Sequence, residues 1–117
     1  MAGLAPDYET LTDIELASRI ARRDPLAVRV VTKRNNQRLY HAAWSILKNR
    51  ADAEEAVQEG YLKAFTSIER FAGKSSLTTW LTRIVLNEAF GKQRSARRTK
   101  RQLEQQSVLL IEDIGIS

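Results

Sequence analysis

The sequence contains no cysteine, so disulfides and thiolate metal sites are excluded. With only two prolines and five glycines in 117 residues, there is little to interrupt a helix. No apolar run approaches the roughly 18 residues that a membrane helix needs. A basic-then-apolar leader pattern is missing from the N-terminus, so a soluble, cytoplasmic chain is expected. Strand-like alternation is also missing. His41 is the sole histidine and has no cysteine beside it, which argues against a metal site or a histidine-based catalytic pair. No nucleophile–base pair stands out. The sequence therefore favours a binding module over an enzyme, with no catalytic residue, metal or other cofactor expected.

What is present is apolar content of 43%, ordinary for a globular domain, and a net charge of +5. The charge is unevenly placed. From Ala51 to Glu69 the acids Asp52, Glu54, Glu55, Glu59 and Glu69 face Lys63 alone. From Arg70 to Arg101 the only acid is Glu88, against a series of lysines and arginines. Either these are two ordinary solvated helix faces or they are surfaces for two different partners, the basic one suited to a polyanion.

Periodicity is helical throughout and predicts an all-α bundle of about four helices. Residues 1–11 read as a flexible lead-in. Thr12-Asp13-Ile14-Glu15 is a capping box opening a short helix to about Arg23. Asp24-Pro25 restarts the chain as cap and first helical position. The second helix runs to about Lys48, with Leu26, Val30, Val31, Leu39, Ala43, Ile46 and Leu47 as core candidates. Its wholly polar middle, Thr32 to Arg38, invites a bend or break. Asn49-Arg50 reads as a turn, and Asp52 as the cap of a third helix reaching about Arg70. Ala56, Val57, Leu62, Ala64, Phe65 and Ile68 are its inward candidates. After a loop from Phe71 to Ser75, Ser75 or Ser76 caps a last long helix with Leu77, Trp80, Leu81, Ile84 and Val85 on its apolar side. Beyond about Leu103 no clear element is expected.

Ala72-Gly73-Lys74-Ser75 is not a phosphate loop. The required earlier glycine is Ile68, and the segment follows a helix instead of a strand. On the last helix, rotation by about 100° per residue gathers Thr79, Arg83, Asn87, Arg94 and Arg97 into one stripe opposite Leu77, Leu81 and Val85. Arginine suits phosphate and asparagine suits a base edge. Leu86 and Phe90 lie near this stripe. Glu88 falls on the apolar side, with no partner legible in the sequence.

The run DAEEAVQEGYLKAF, Asp52 to Phe65, closely resembles the second-helix motif of extracytoplasmic-function (ECF) sigma factors of RNA polymerase. FAGKSSLTTWLTRIVLNEAFGKQR, Phe71 to Arg94, resembles the same family's next signature at the proper distance, and NNQRLYHAAWSILKNR its preceding helix. The likeness covers roughly Leu16 to Arg98. Val28 departs from it, standing where the family commonly has an aromatic.

The resemblance implies the region 2 domain of a sigma factor, here residues 12–101, that binds core RNA polymerase and recognises and melts the minus-ten promoter element. It implies that Asp52, Glu55, Gln58, Glu59 and Leu62 dock on the clamp helices of the polymerase's largest subunit. It further implies that the loop Phe71, Gly73, Lys74, Ser75 and Ser76 receives a flipped base of the non-template strand, and that an anti-sigma factor is a further partner. Trp80 reads as core in preference to a strand-separating wedge. Residues 102–117 are expected to begin an interdomain linker. They are too short to hold the family's upstream-element (region 4) domain, so either an excised domain or an unusually short protein is expected, the first being favoured. A helix-turn-helix repressor-like module and a pure interaction scaffold are the alternatives. The first would bind duplex DNA alone, and the second would show no salt-sensitive DNA affinity.

Overall fold

The computed structural model describes residues 7–113. The remainder of the lead-in and of the C-terminal tail lies outside the described residues. A 3-10 turn, Tyr8–Thr10, precedes four helices: α1 (Asp13–Ala21), α2 (Pro25–Leu47), α3 (Arg50–Thr66) and α4 (Leu77–Asp113). A second 3-10 turn, Ile68–Arg70, follows α3. The described residues contain no strand, and none of their helices is long and apolar enough to cross a membrane.

Each helix starts where local chemistry allows. Both halves of the Thr12–Glu15 capping box are formed, with Glu15 N donating to Thr12 Oγ1 at 3.1 Å and Thr12 N to Glu15 Oε1 at 3.3 Å. Asp24 accepts from Leu26 N at 3.0 Å ahead of Pro25. The start of α3 differs from the expected one. Lys48 takes the left-handed conformation (φ 53°), and Asn49, not Asp52, caps the helix by accepting from Asp52 N at 2.9 Å. The left-handed residue reverses the chain early enough for Arg50 to be helical, which leaves Asp52 in the first turn, favourable to the helix dipole. The far end is also earlier than expected, because the chain tightens into the 3-10 turn after Thr66.

Leu16, Ile20, Val31, Leu39, Ala56, Ala64, Leu77, Leu81 and Val85 form one buried core. Ala27, Val31, Asn35, Leu39 and Ala43 line the buried side of α2. The polar middle of α2 does not break it, and within that stretch Asn35 joins the core as an anchored amide. Its Nδ2 donates to Val31 O at 2.8 Å and its Oδ1 accepts from Thr78 Oγ1 at 2.7 Å. Next to it, Tyr61 donates its hydroxyl to Asn36 Oδ1 at 2.7 Å, and burial pushes that phenol up to about 12. Two expected core residues face outward: Leu26 is 50% and Leu62 70% exposed. Each sits on the side of its helix away from the alanine-rich seam.

Where α3 crosses α4, Gly60 lets the backbones approach. A Cβ there would lie 2.5 Å from Val85 Cγ2. The tail is helical to Asp113, where no element was expected, yet every residue from Arg94 to Asp113 is exposed. At 1.5 Å per residue α4 runs about 55 Å, well past the bundle.

Candidate nucleic-acid and polymerase interface

The loop expected to receive a base is held at both ends. Phe71 closes it from below. It is 7% exposed and tilts against Trp80 with ring centroids 5.6 Å apart, so it braces the loop and offers no surface to a ligand. Trp80 is half-buried against the core, as expected. Gly73 adopts φ +74°, and Ile14 packs so close that a Cβ would meet its Cδ1 at 2.7 Å. The glycine thus serves a left-handed turn and a contact with α1. Lys74 is exposed at the tip, Ser75 is partly exposed, and Ser76 caps α4 by accepting from Thr79 N at 3.1 Å. The Ser76 hydroxyl also donates to Thr79 Oγ1 at 2.9 Å.

A second cap of α4 comes from far along the chain: Asp13 Oδ2 accepts from Leu77 N at 2.9 Å. The first residue of α1 thereby ties that helix to the head of α4. Nothing in the local sequence signals it, since the partners stand 64 residues apart.

Along α4, the structure brings Thr79, Arg83, Asn87, Arg94 and Arg97 to one exposed stripe, opposite buried Leu77, Leu81, Val85 and Ala89. Among the described residues no carboxylate pairs with Arg83, Arg94 or Arg97. Phe90, 40% exposed, lies beside the stripe.

On α3, Asp52, Glu55, Gln58 and Leu62 are exposed and Glu59 partly so. The two glutamates are not free. Lys92 Nζ of α4 lies 2.7 Å from Glu55 Oε1 and 3.8 Å from Glu59 Oε1. The Lys92 hydrogen bond holds the Glu55 carboxyl below its ordinary value, and Glu55 raises the Lys92 ammonium. One turn further along the seam, Lys63 pairs with Glu88. That pair accounts for the acid on the apolar side of α4. The signal was present in the sequence as charges four apart on two helices, Glu55-Glu59-Lys63 and Glu88-Lys92, but pairing them requires knowing that α3 and α4 are neighbours. A cleft of about 800 Å³ between these helices and the end of α2 is lined by Asp52, Glu59 and Lys92 as well as by Asn87, Arg94, Ile46 and Leu47. The α3 and α4 residue sets therefore share one wall.

The sigma-70 region 2 family matches residues 31–99. The chain belongs to this family. It is 36% identical over 81 residues to the ECF RNA polymerase sigma-E factor of Haemophilus influenzae, covering 69% of this chain and 42% of that protein. The proteins of the same name from Escherichia coli and Salmonella typhimurium are 31% identical over 81 residues, with the same coverage. The chain thus spans 42% of the length of these curated relatives. The ECF resemblance stated from the motifs agrees with these relatives, and the all-helical fold agrees with region 2.

Proposed function

We propose that this chain is the part of a sigma factor that binds core RNA polymerase and recognises and opens the minus-ten promoter element, acting in the cytoplasm. The observation that carries the reading is the pairing of two surfaces on one bundle. An arginine- and asparagine-bearing stripe on α4 stands below a braced glycine loop, and exposed carboxylates, Gln58 and Leu62 stand on the neighbouring helix. Leu62 supplies the apolar centre and Asp52, Glu55, Gln58 and Glu59 a polar rim, the makeup of a protein interface. Lys74, exposed at the tip of the loop, offers an ammonium donor to an extruded base. Unstacking that base costs a few kcal/mol, which polar and charged contacts must offset, since Phe71 is buried and presents no ring for stacking. An anti-sigma factor would compete for one of these surfaces.

The test is a titration against a fragment carrying the polymerase clamp helices, read with and without a non-template minus-ten oligonucleotide. Saturable clamp binding that Leu62→Asp weakens is expected. Tight binding to duplex DNA with no clamp affinity would instead favour a repressor-like module.

A further inference from the structure

The outer face of α2 belongs to neither surface just described. Over its 23 residues α2 contains no aspartate or glutamate, and it carries Arg29, Lys33, Arg34, Arg38 and His41. Its buried residues Val31, Asn35, Leu39 and Ala43 fix the direction of the core. At about 100° per residue, Lys33, Gln37, His41, Trp44 and Lys48 fall together on the opposite side, and all five are exposed. Arg29 and Arg34 flank them. Arg34 is committed to Glu9 at 2.8 Å, whereas Lys33, Arg38 and Lys48 meet no carboxylate among the described residues. Trp44 is 42% exposed, and Lys48 Nζ sits 4.6 Å from its ring centroid. From Lys33 to Lys48 the ridge is about 22 Å long.

Because Asn35 bonds Thr78 and Gln93 bonds the Ile46 carbonyl, the buried side of α2 faces α4. The α4 stripe points away from its own buried side, so the two basic faces are distinct, and α2 reaches the cleft lined by Asn87 and Arg94 only at its C-terminal end, through Ile46 and Leu47.

We propose that the α2 ridge is a second nucleic-acid surface, taking single-stranded nucleic acid without regard to sequence. Cations spaced along a ridge track a phosphate backbone, and an exposed indole with an ammonium at its face stacks on any base. An acidic protein would meet the cations equally well but would leave the indole without a planar partner. For that reason the nucleic acid is the favoured occupant. The surface is separate from the α4 stripe and stands whatever α4 reads.

The experiment uses the full chain and a fluorescent oligo-dT, with anisotropy measured over a salt series and circular dichroism confirming the fold of each variant. Two backgrounds are compared, wild type and Arg83→Gln/Arg94→Gln, the second weakening the α4 stripe. In both, Lys33→Gln/Lys48→Gln should flatten the slope of log affinity against log salt by about 1.4, at roughly 0.7 for each phosphate no longer neutralised. Trp44→Ala should weaken binding about tenfold, and Trp44→Phe should restore much of it. If the α2 variants bind oligo-dT as the parent does, or if poly-glutamate displaces the oligonucleotide at equal charge concentration and Trp44→Ala has no effect, the proposal is overturned.

Discussion

The amide of Asn35 spans two helices, and both of its polar ends are occupied inside the core. Asn35→Ala removes the acceptor of the half-buried Thr78 hydroxyl and leaves a gap. We expect a loss of about 1–3 kcal/mol, the usual cost of orphaning a buried polar group, measured by urea unfolding at neutral pH. An unchanged midpoint would show that water satisfies Thr78 instead. This residue was hidden in the sequence because Thr32 to Arg38 reads as a wholly polar stretch inviting a bend or break, and its partner lies 43 positions away. Gly73 was legible as a loop glycine, but its second reason, the Ile14 side chain beneath it, was not. Gly73→Ala must carry a left-handed conformation, costing about 1–2 kcal/mol, and must also displace Ile14. A Tm lowered by roughly 4–8 °C per kcal/mol is expected in thermal unfolding. Ile14→Ala in the same background should relieve the steric part and leave the conformational part.

Among the elements, the α3–α4 seam changes what the acidic helix can be expected to do. Glu55 and Glu59 read from the sequence as freely exposed, so their reversal would have weakened partner binding alone. With Lys92 beside them, Glu55→Lys sets two ammonium groups together and should lower thermal stability as well as clamp affinity. Glu55→Gln, which keeps the shape, separates the two losses. The pH dependence follows from the directions of the shifts. Glu55 is held low, so its contribution is complete above the ordinary carboxylate range and is lost as pH falls through the depressed value. Lys92 is held high, so its contribution is complete below the ordinary lysine range and is lost as pH rises through the raised value. The Tm difference between wild type and Lys92→Gln should therefore be widest at neutral pH and shrink at both extremes. A difference constant with pH would mean that Lys92 acts through packing. The distal part of α4 is the other element that escaped the sequence. Leu103 to Ile111 has no apolar period matched to a partner, yet the backbone continues as helix with its side chains exposed. A helix without tertiary packing is marginal in water. Amides of residues 103–113 should exchange far faster than those of 81–89, and equal protection would contradict a weakly packed linker segment.

At the scale of the whole molecule, the helices, their order and the α4 stripe could be read from period, caps and motif. What could not be read is everything set by how helices meet: Asp13 capping α4, the charge ladder, Asn35, and the outward turn of Leu62, which the helical period placed inward while the family resemblance made it a contact. The shared cleft makes Asn87 and Arg94 the best place to ask whether α4 reads bases or only holds phosphates. Arg94→Ala should weaken binding to every single-stranded sequence and flatten the salt slope by roughly 0.7, the value for one phosphate. Asn87→Ala should leave the slope nearly unchanged, because an amide at a base edge displaces no counterion, and should instead erode the preference for the minus-ten oligonucleotide over a scrambled one. The α2 ridge contributes equally to both oligonucleotides, so it cancels from the preference and adds a constant to the slope. Affinities for the two sequences over a salt series therefore isolate the α4 contribution. If Asn87→Ala weakened both sequences alike, or if the wild type bound them equally, Asn87 would be a surface amide and not a base reader.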